Sequence, residues 1–317
     1  VADRVTICEC FARDGLQHEE TFLSTKEKLA VIEAIADAGF QRIEATSYSH
    51  PDHVPAFRDA GRVLAGLPRR PRVAYKATCP NPKAVQRALA DADAGFGADE
   101  LSFLVSATEA HTRRNLRTSR DGQWERVTEM ARLARGRFTI VGVISVAFGC
   151  PFEGPVDAAG VVADFERFAE LGAGLVTIGD TTGLATPRTA AALLGRLAKD
   201  FPEVPAVAHF HNTRGTALAN CVAALDAGCR HFDSALGGIG GHPSQIRYGQ
   251  GMTGNAATED LVHLFEAMGV DTGLDIERVT AASRMSEDVL GRQLHSFVAR
   301  AGREPITRTG SGRDQTA

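Results

Sequence analysis

Eight short apolar runs, each followed by a longer amphipathic stretch, pass in series along the chain, and this alternation restricts the fold more than any other feature. The runs are Val5–Phe11, Arg42–Thr46, Arg72–Thr78, Asp99–Val105, Phe138–Phe148, Gly174–Asp180, Ala206–His211 and His231–Leu236. They are close to continuously apolar, as expected of strands buried on both faces of a parallel sheet. Helices are predicted over Thr25–Asp37 (stopped by Gly39), over Val54–Leu67, from Pro82, around Gln123–Arg135, over Ala158–Leu171, from Pro187, over Thr216–Asp226 and over Thr258–Met268. Eight such units in 317 residues predict an α/β chain closed into a (β/α)8 TIM barrel. A doubly wound open sheet is the alternative, but no G-x-G-x-x-G follows the first strand. Beyond Asp271 a short C-terminal helical extension runs to about residue 300, and residues 301–317 form a polar tail expected to be mobile.

Composition narrows the function classes. Hydrophobic residues make up 44%, enough for a large core without disulfides. The net charge of −4 and the lack of a Lys/Arg-rich run give a nucleic-acid partner no support. Six cysteines lie scattered without a C-x-x-C, which suits buried free thiols in a reducing cytoplasm. The residues before the first strand lack the basic region and apolar core expected of a signal peptide, and no apolar run reaches the roughly 18 residues of a membrane span. The expectation is a cytoplasmic protein.

In a barrel of this kind, chemistry belongs at the C-terminal ends of the strands. The polar residues there are Arg13 and Asp14 after strand 1, Glu44 in strand 2, Lys76 in strand 3, Asp180 in strand 6, and His209 and His211 in strand 7. His209 and His211 stand at i and i+2, so both imidazoles enter one space. With Asp14 and Asn255 they make a nitrogen and oxygen set suited to Mg²⁺ or Mn²⁺, although two structural histidines are the plainer alternative. Arg13 is either a salt-bridge partner bracing the barrel mouth or a guanidinium aimed at a developing oxyanion. A turn at Gly15 is expected to face both Arg13 and Asp14 inward. Glu44 and Asp180 are candidates for orienting the ligands, or else members of a core ion pair. Lys76 and Gln17 are candidates for substrate binding. His50, Asp52 and His53 either shape the mouth of the pocket or lie on the surface of the loop after strand 2.

The stretches FARDGLQHE, RIEATSY, GCPFEGP, GDTTGLATP, HFHNTRGTALAN and GNAATEDLVHLFEAMG together resemble the 3-hydroxy-3-methylglutaryl-CoA lyases, a family of metal-dependent barrel lyases. The resemblance runs from about residue 5 to 300. It implies that Asp14, His209, His211 and Asn255 hold a divalent metal and that Arg13 stabilises an enolate. Glu44 and Asp180 are similar to polar residues of the family's site. The implied reaction is retro-Claisen, aldol-type cleavage of a 3-hydroxyacyl-CoA, and the implied assembly is a homodimer. A 4-hydroxy-2-oxo acid as substrate, or a silent metal-binding barrel, are the alternatives.

One departure stands in the loop after strand 8, Gly237–Asn255. The family's signature Gly-Gly-Cys-Pro reads Gly240-Gly241-His242-Pro243 here, in a longer loop. Either His242 takes the thiol's place in proton transfer, or His242, Arg247 or Tyr248 contacts a different substrate, or the loop is a lid with solvated polar residues.

Overall fold

The computed structural model describes residues 3–241 and 253–302. Its strands are β1 (Thr6–Glu9), β2 (Arg42–Ser47), β3 (Ala74–Thr78), β4 (Glu100–Ser106), β5 (Thr139–Ser145), β6 (Leu175–Asp180), β7 (Ala206–Phe210) and β8 (His231–Ser234). All pair in parallel in chain order, and β8 returns to β1 with Thr6 opposite His231, so the eight strands close a barrel. The outer helices are α1 (Thr25–Asp37), α2 (Ala60–Gly66), α3 (Pro82–Asp93), α4 (Glu109–Leu116), α5 (Arg120–Ala134), α6 (Ala158–Glu170), α7 (Pro187–Asp200), α8 (Ala217–Asp226) and α9 (Thr258–Ala267). The C-terminal extension is α10 (Ile276–Leu290), packed against α1, and the short α11 (Val298–Ala301). The mobile tail expected over 301–317 lies almost wholly outside the described residues.

Local chemistry explains the helix starts. Ser24 and Glu27 form a reciprocal capping box at α1, while Asn81 before Pro82 and Thr186 before Pro187 cap α3 and α7. The inward stripe of α1, Val31, Ile32 and Ile35, is fully buried against the barrel. Among the described residues, all six cysteines are free and buried, and no helix is long and apolar enough to cross a membrane.

Two differences from the sequence reading matter for the site. β1 stops at Glu9, because Phe11–Gly15 winds into a single π-helical turn that carries Arg13 and Asp14 over the barrel mouth. Gly15 sits there in ordinary right-handed backbone, so its small size answers to space and not to turn geometry. A Cβ on Gly15 would stand 2.6 Å from Ile239 Cγ2 in the loop after β8. The second difference is α4, a helix the sequence reading did not include, and it buries His111 and Thr112.

The lumen is polar rather than filled by branched aliphatic layers. At the N-terminal end of the strands, Arg42 Nε and Nη2 bind the Glu100 carboxylate at 3.0 and 2.7 Å, with both side chains buried. That pair closes the floor, and a cavity of about 310 Å³ opens above it toward the C-terminal ends.

Candidate active site

The cavity collects the charged groups of several strand ends into one alternating series. Arg13 Nη1 donates to Asp14 Oδ1 at 2.8 Å, and Arg13 Nε lies 3.5 Å from Glu44 Oε1. Lys76 Nζ stands 3.8 Å from Glu44 and 3.9 Å from Asp233, beyond hydrogen-bond length from either. Burial alone would depress the Lys76 ammonium, but Asp233 and Glu44 hold it well above its ordinary value. Asp233 Oδ2 accepts from His209 Nδ1 at 3.2 Å, which completes the series.

His209 and His211 project from consecutive inward positions of the β7 segment. Their Nε2 atoms face each other at 3.1 Å, and His211 Nε2 lies 3.9 Å from Asp14 Oδ2. Ligand atoms of Asp14, His209 and His211 all fall within 4.8 Å of one another. Asn255 joins them because the chain after β8 pairs back onto β7: His211 bridges Asn255, and Asn212 N donates to Gly254 O at 2.6 Å. Its Nδ2 donates to Asp14 Oδ2 at 2.7 Å, while its Oδ1 is buried with no hydrogen-bond partner among the described residues. Gly240 permits this approach, since a Cβ there would stand 2.4 Å from Asn255 Nδ2.

The donor chemistry fits a divalent cation. Asp233 holds the Nδ1 proton of His209, and Thr253 Oγ1 lies 3.1 Å from His211 Nδ1, so both Nε2 lone pairs can turn inward. A carboxylate, two imidazoles and an unpartnered amide oxygen thereby converge on one point. Without a cation, these rings titrate as a coupled pair. Burial disfavours charge on both; Asp233 and Asp14 outweigh it at His209, while burial and the neighbouring His209 push His211 well down. Burial also opposes ionisation of Asp14, yet Arg13 and the histidines hold its carboxyl well below the usual range.

The remaining expected residues divide. Gln17 lines the cavity, its Nε2 3.1 Å from His18 Nε2, and His50 and His53 line its mouth, whereas Asp52 is exposed. Glu44 lines the cavity and accepts from the Thr78 hydroxyl at 2.8 Å, with no direct contact to the histidines. Asp180 is brought elsewhere. Its Oδ1 accepts from the amides of Leu184 and Ala185 at 2.8 and 3.1 Å, so it shapes the turn after β6 and is not a cavity-lining residue. Burial pushes its carboxyl up to about 6. His242, Arg247 and Tyr248 lie outside the described residues.

Residues 4–285 match the HMGL-like family model. The chain belongs to the HMGL-like family. It is 37% identical to a hydroxymethylglutaryl-CoA lyase of Bacillus subtilis, over 92% of this chain and 95% of that protein. The human mitochondrial hydroxymethylglutaryl-CoA lyase is 34% identical over 94% of this chain and 89% of its own length. An HMG-CoA lyase from Acinetobacter baumannii, solved in complex with coenzyme A and 3-methylmalate, superposes with a TM-score of 0.89 at 34% identity and covers 96% of this chain and 98% of its own. The TIM barrel read from the strand–helix alternation is thus the architecture this HMGL-like chain shares with solved lyases.

Two contributors to the site were not singled out from sequence. Asp233 sits inside the β8 run HFDSAL, where only its i+2 relation to His231 and the phase of the neighbouring strand could have signalled an inward carboxylate. Glu9, at the end of β1, is fully buried. Its Oε1 accepts from the amides of Phe11 and Leu236, both at 2.9 Å, and its Oε2 is hydrogen-bonded to the Thr258 hydroxyl. One carboxyl thereby ties the turn carrying Arg13 and Asp14 to both ends of the loop after β8.

Proposed function

We propose that this chain is a metal-dependent carbon–carbon lyase that cleaves 3-hydroxy-3-methylglutaryl-CoA, or a related branched 3-hydroxyacyl-CoA, into an acyl-CoA such as acetyl-CoA and a keto product. The observation that carries the reading is the convergence of Asp14, His209 and His211 within 4.8 Å, beside the Arg13 guanidinium. The relatives' activity as hydroxymethylglutaryl-CoA lyases supports the substrate class, and the coenzyme A complex of the Acinetobacter baumannii lyase supports a thioester.

Asp14, His209, His211 and Asn255 Oδ1 are the groups that hold the cation, with Mg²⁺ or Mn²⁺ the best match to this donor set. What a bound cation supplies is Lewis acidity toward the substrate's 3-hydroxyl. The hydroxyl proton leaves to a base, and the O–H electron pair becomes the carbonyl of the keto product. The C2–C3 pair passes to C2 and onto the thioester oxygen as an enolate. Arg13, held in place by Asp14 and Glu44, offers its guanidinium to that oxygen, where fixed positive charge counts most in a water-poor site. Protonation at C2 then releases the acyl-CoA. His242 is the group assigned to proton transfer. We further propose a homodimer, from the resemblance alone, and a cytoplasmic location, from the scattered free cysteines, which sedimentation and cell fractionation check.

The test is a substrate panel. The purified protein, loaded with Mg²⁺ or Mn²⁺, is incubated with 3-hydroxyacyl-CoA thioesters and 4-hydroxy-2-oxo acids, and products are identified by mass spectrometry. Release of an acyl-CoA from a branched thioester is expected. Cleavage of the oxo acids alone replaces the reading with an aldolase, and no turnover with metal bound leaves a silent barrel.

A further inference from the structure

The end of β4 carries Ser106 directly opposite Ser145 at the end of β5, and behind them α4 buries His111. The three are joined: His111 Nδ1 lies 2.8 Å from Ser106 Oγ, and Ser106 Oγ lies 2.9 Å from Ser145 Oγ. Only Ser145 lines the cavity. We propose that His111, acting through Ser106, fixes the Ser145 hydroxyl as a hydrogen-bond donor into the cavity, where it selects a substrate oxygen that can only accept, as in the free carboxylate of the acyl portion. This rests on the lyase reading above and adds to it a specificity-determining residue and the group that residue reads.

The direction of the chain follows from where protons can sit. A neutral imidazole carries one N–H, and His111 Nε2 is buried with no hydrogen-bond partner among the described residues. A buried N–H without an acceptor is rarer and costlier than an idle lone pair, so the proton belongs on Nδ1. Burial pushes the His111 pKa down to about 4, which keeps the ring neutral. Nδ1–H then donates to Ser106, and the Ser106 proton goes to Ser145. Ser145 keeps its own proton to give away. Among the described residues its one acceptor is the Val105 carbonyl at 3.2 Å, long for a hydroxyl donor, so an acceptor in the cavity competes well for it.

A second chain on the neighbouring strands runs the opposite way. Glu44 is acceptor-only when ionised, so Thr78 donates to it at 2.8 Å and must accept from Ser102 at 2.9 Å. Ser102 therefore turns lone pairs, and not a proton, toward the cavity. One strand past Ser145, the Thr177 hydroxyl lines the same cavity, buried and without a hydrogen-bond partner among the described residues. The wall is thus prepared for polar groups of the acyl portion, with Ser145 set to give.

A double-mutant cycle on the metal-loaded enzyme tests this. His111→Phe keeps the ring volume, Ser106→Ala breaks the chain, and Ser145→Ala removes the donor. Each is expected to lower kcat/KM for the thioester about 10- to 100-fold, chiefly through KM, as for one hydrogen bond to a charged group of bound substrate. His111→Phe placed in the Ser145→Ala background is expected to cost nothing further. His111→Asn, which retains a donor at the δ position, is expected to recover most of the loss. Additive losses in the double variant, or unchanged KM in both His111→Phe and Ser106→Ala, overturn the inference while leaving the lyase reading intact. A wild-type protein that cleaves no thioester overturns both.

Discussion

Asp233 Oδ2 accepts a hydrogen bond from His209 Nδ1 at 3.2 Å, and that contact decides which ring nitrogen of His209 faces Asp14 and His211. Burial opposes ionisation of Asp233, but Lys76 and His209 bring its pKa to about 2, so it stays an acceptor across the working range. Asp233→Asn places an N–H against Nδ1 and favours the opposite tautomer. The expected result is a loss of about 10- to 100-fold in Mn²⁺ affinity, read by metal titration. Unchanged affinity removes Asp233 from the orienting role.

Arg13→Met separates cation binding from bond cleavage. Asp14 loses its 2.8 Å partner, yet the two histidines and Asn255 remain. kcat is expected to fall about 10²- to 10³-fold, in line with removal of one oxyanion donor, with Mn²⁺ still bound. Retained turnover takes the enolate role away from Arg13.

Lys76 is the lumen's second cation beside the reacting end, with donors not committed to Glu44 or Asp233 at hydrogen-bond length. Lys76→Gln is expected to lower kcat/KM for a carboxylate-bearing thioester about 10- to 100-fold, the span of a charge-assisted contact. A neutral analogue lacking the carboxylate should suffer far less. Equal losses on both substrates would mark Lys76 as a partner of Asp233 and Glu44 only.

Burial pushes the Glu9 carboxyl from 4.5 up to about 8, against the pull of its hydrogen bonds. The folded chain therefore binds this proton more tightly than the unfolded chain does. The associated stability is complete below about pH 4.5 and is lost as pH rises through about 8, to a total on the order of a few kcal/mol. Glu259, pushed up to about 7 by burial, adds a parallel slope. Glu9→Gln keeps an acceptor for the Phe11 and Leu236 amides and a donor for Thr258, without the charge. Urea midpoints measured from pH 5 to 9 should fall less steeply for Glu9→Gln than for the wild type, and identical slopes would exclude Glu9 as a source.

The barrel was legible because strands buried on both sides must be apolar almost throughout, and the helices between them carry their own caps. Arg13, Asp14, Glu44, Lys76, His209 and His211 were legible because charged side chains at the ends of such strands have few other places to go. The same density hides phase. Nothing in GLVTIGD tells which of Gly179 and Asp180 faces the lumen; Gly179 pairs with His209 there, and Asp180 turns outward under the loop. Asp233 and Glu9 were lost inside strand runs for the same reason. α4 escaped notice because EAHTRRNL has so little apolar surface, its buried contacts coming from His111 and Thr112.

Asn255 Nδ2 reaches Asp14 Oδ2 across a separation of 241 residues. The earliest and latest members of the candidate cation site thus come from the segments that follow the first and the last strand of the barrel. A chain emerging from the ribosome carries Asp14 long before it can carry Asn255, and cannot assemble this centre until all eight strands of the barrel have been made. Cation capture then becomes a report on a completed barrel: chains truncated or stalled before Asn255 should acquire neither the metal nor the reactivity it confers.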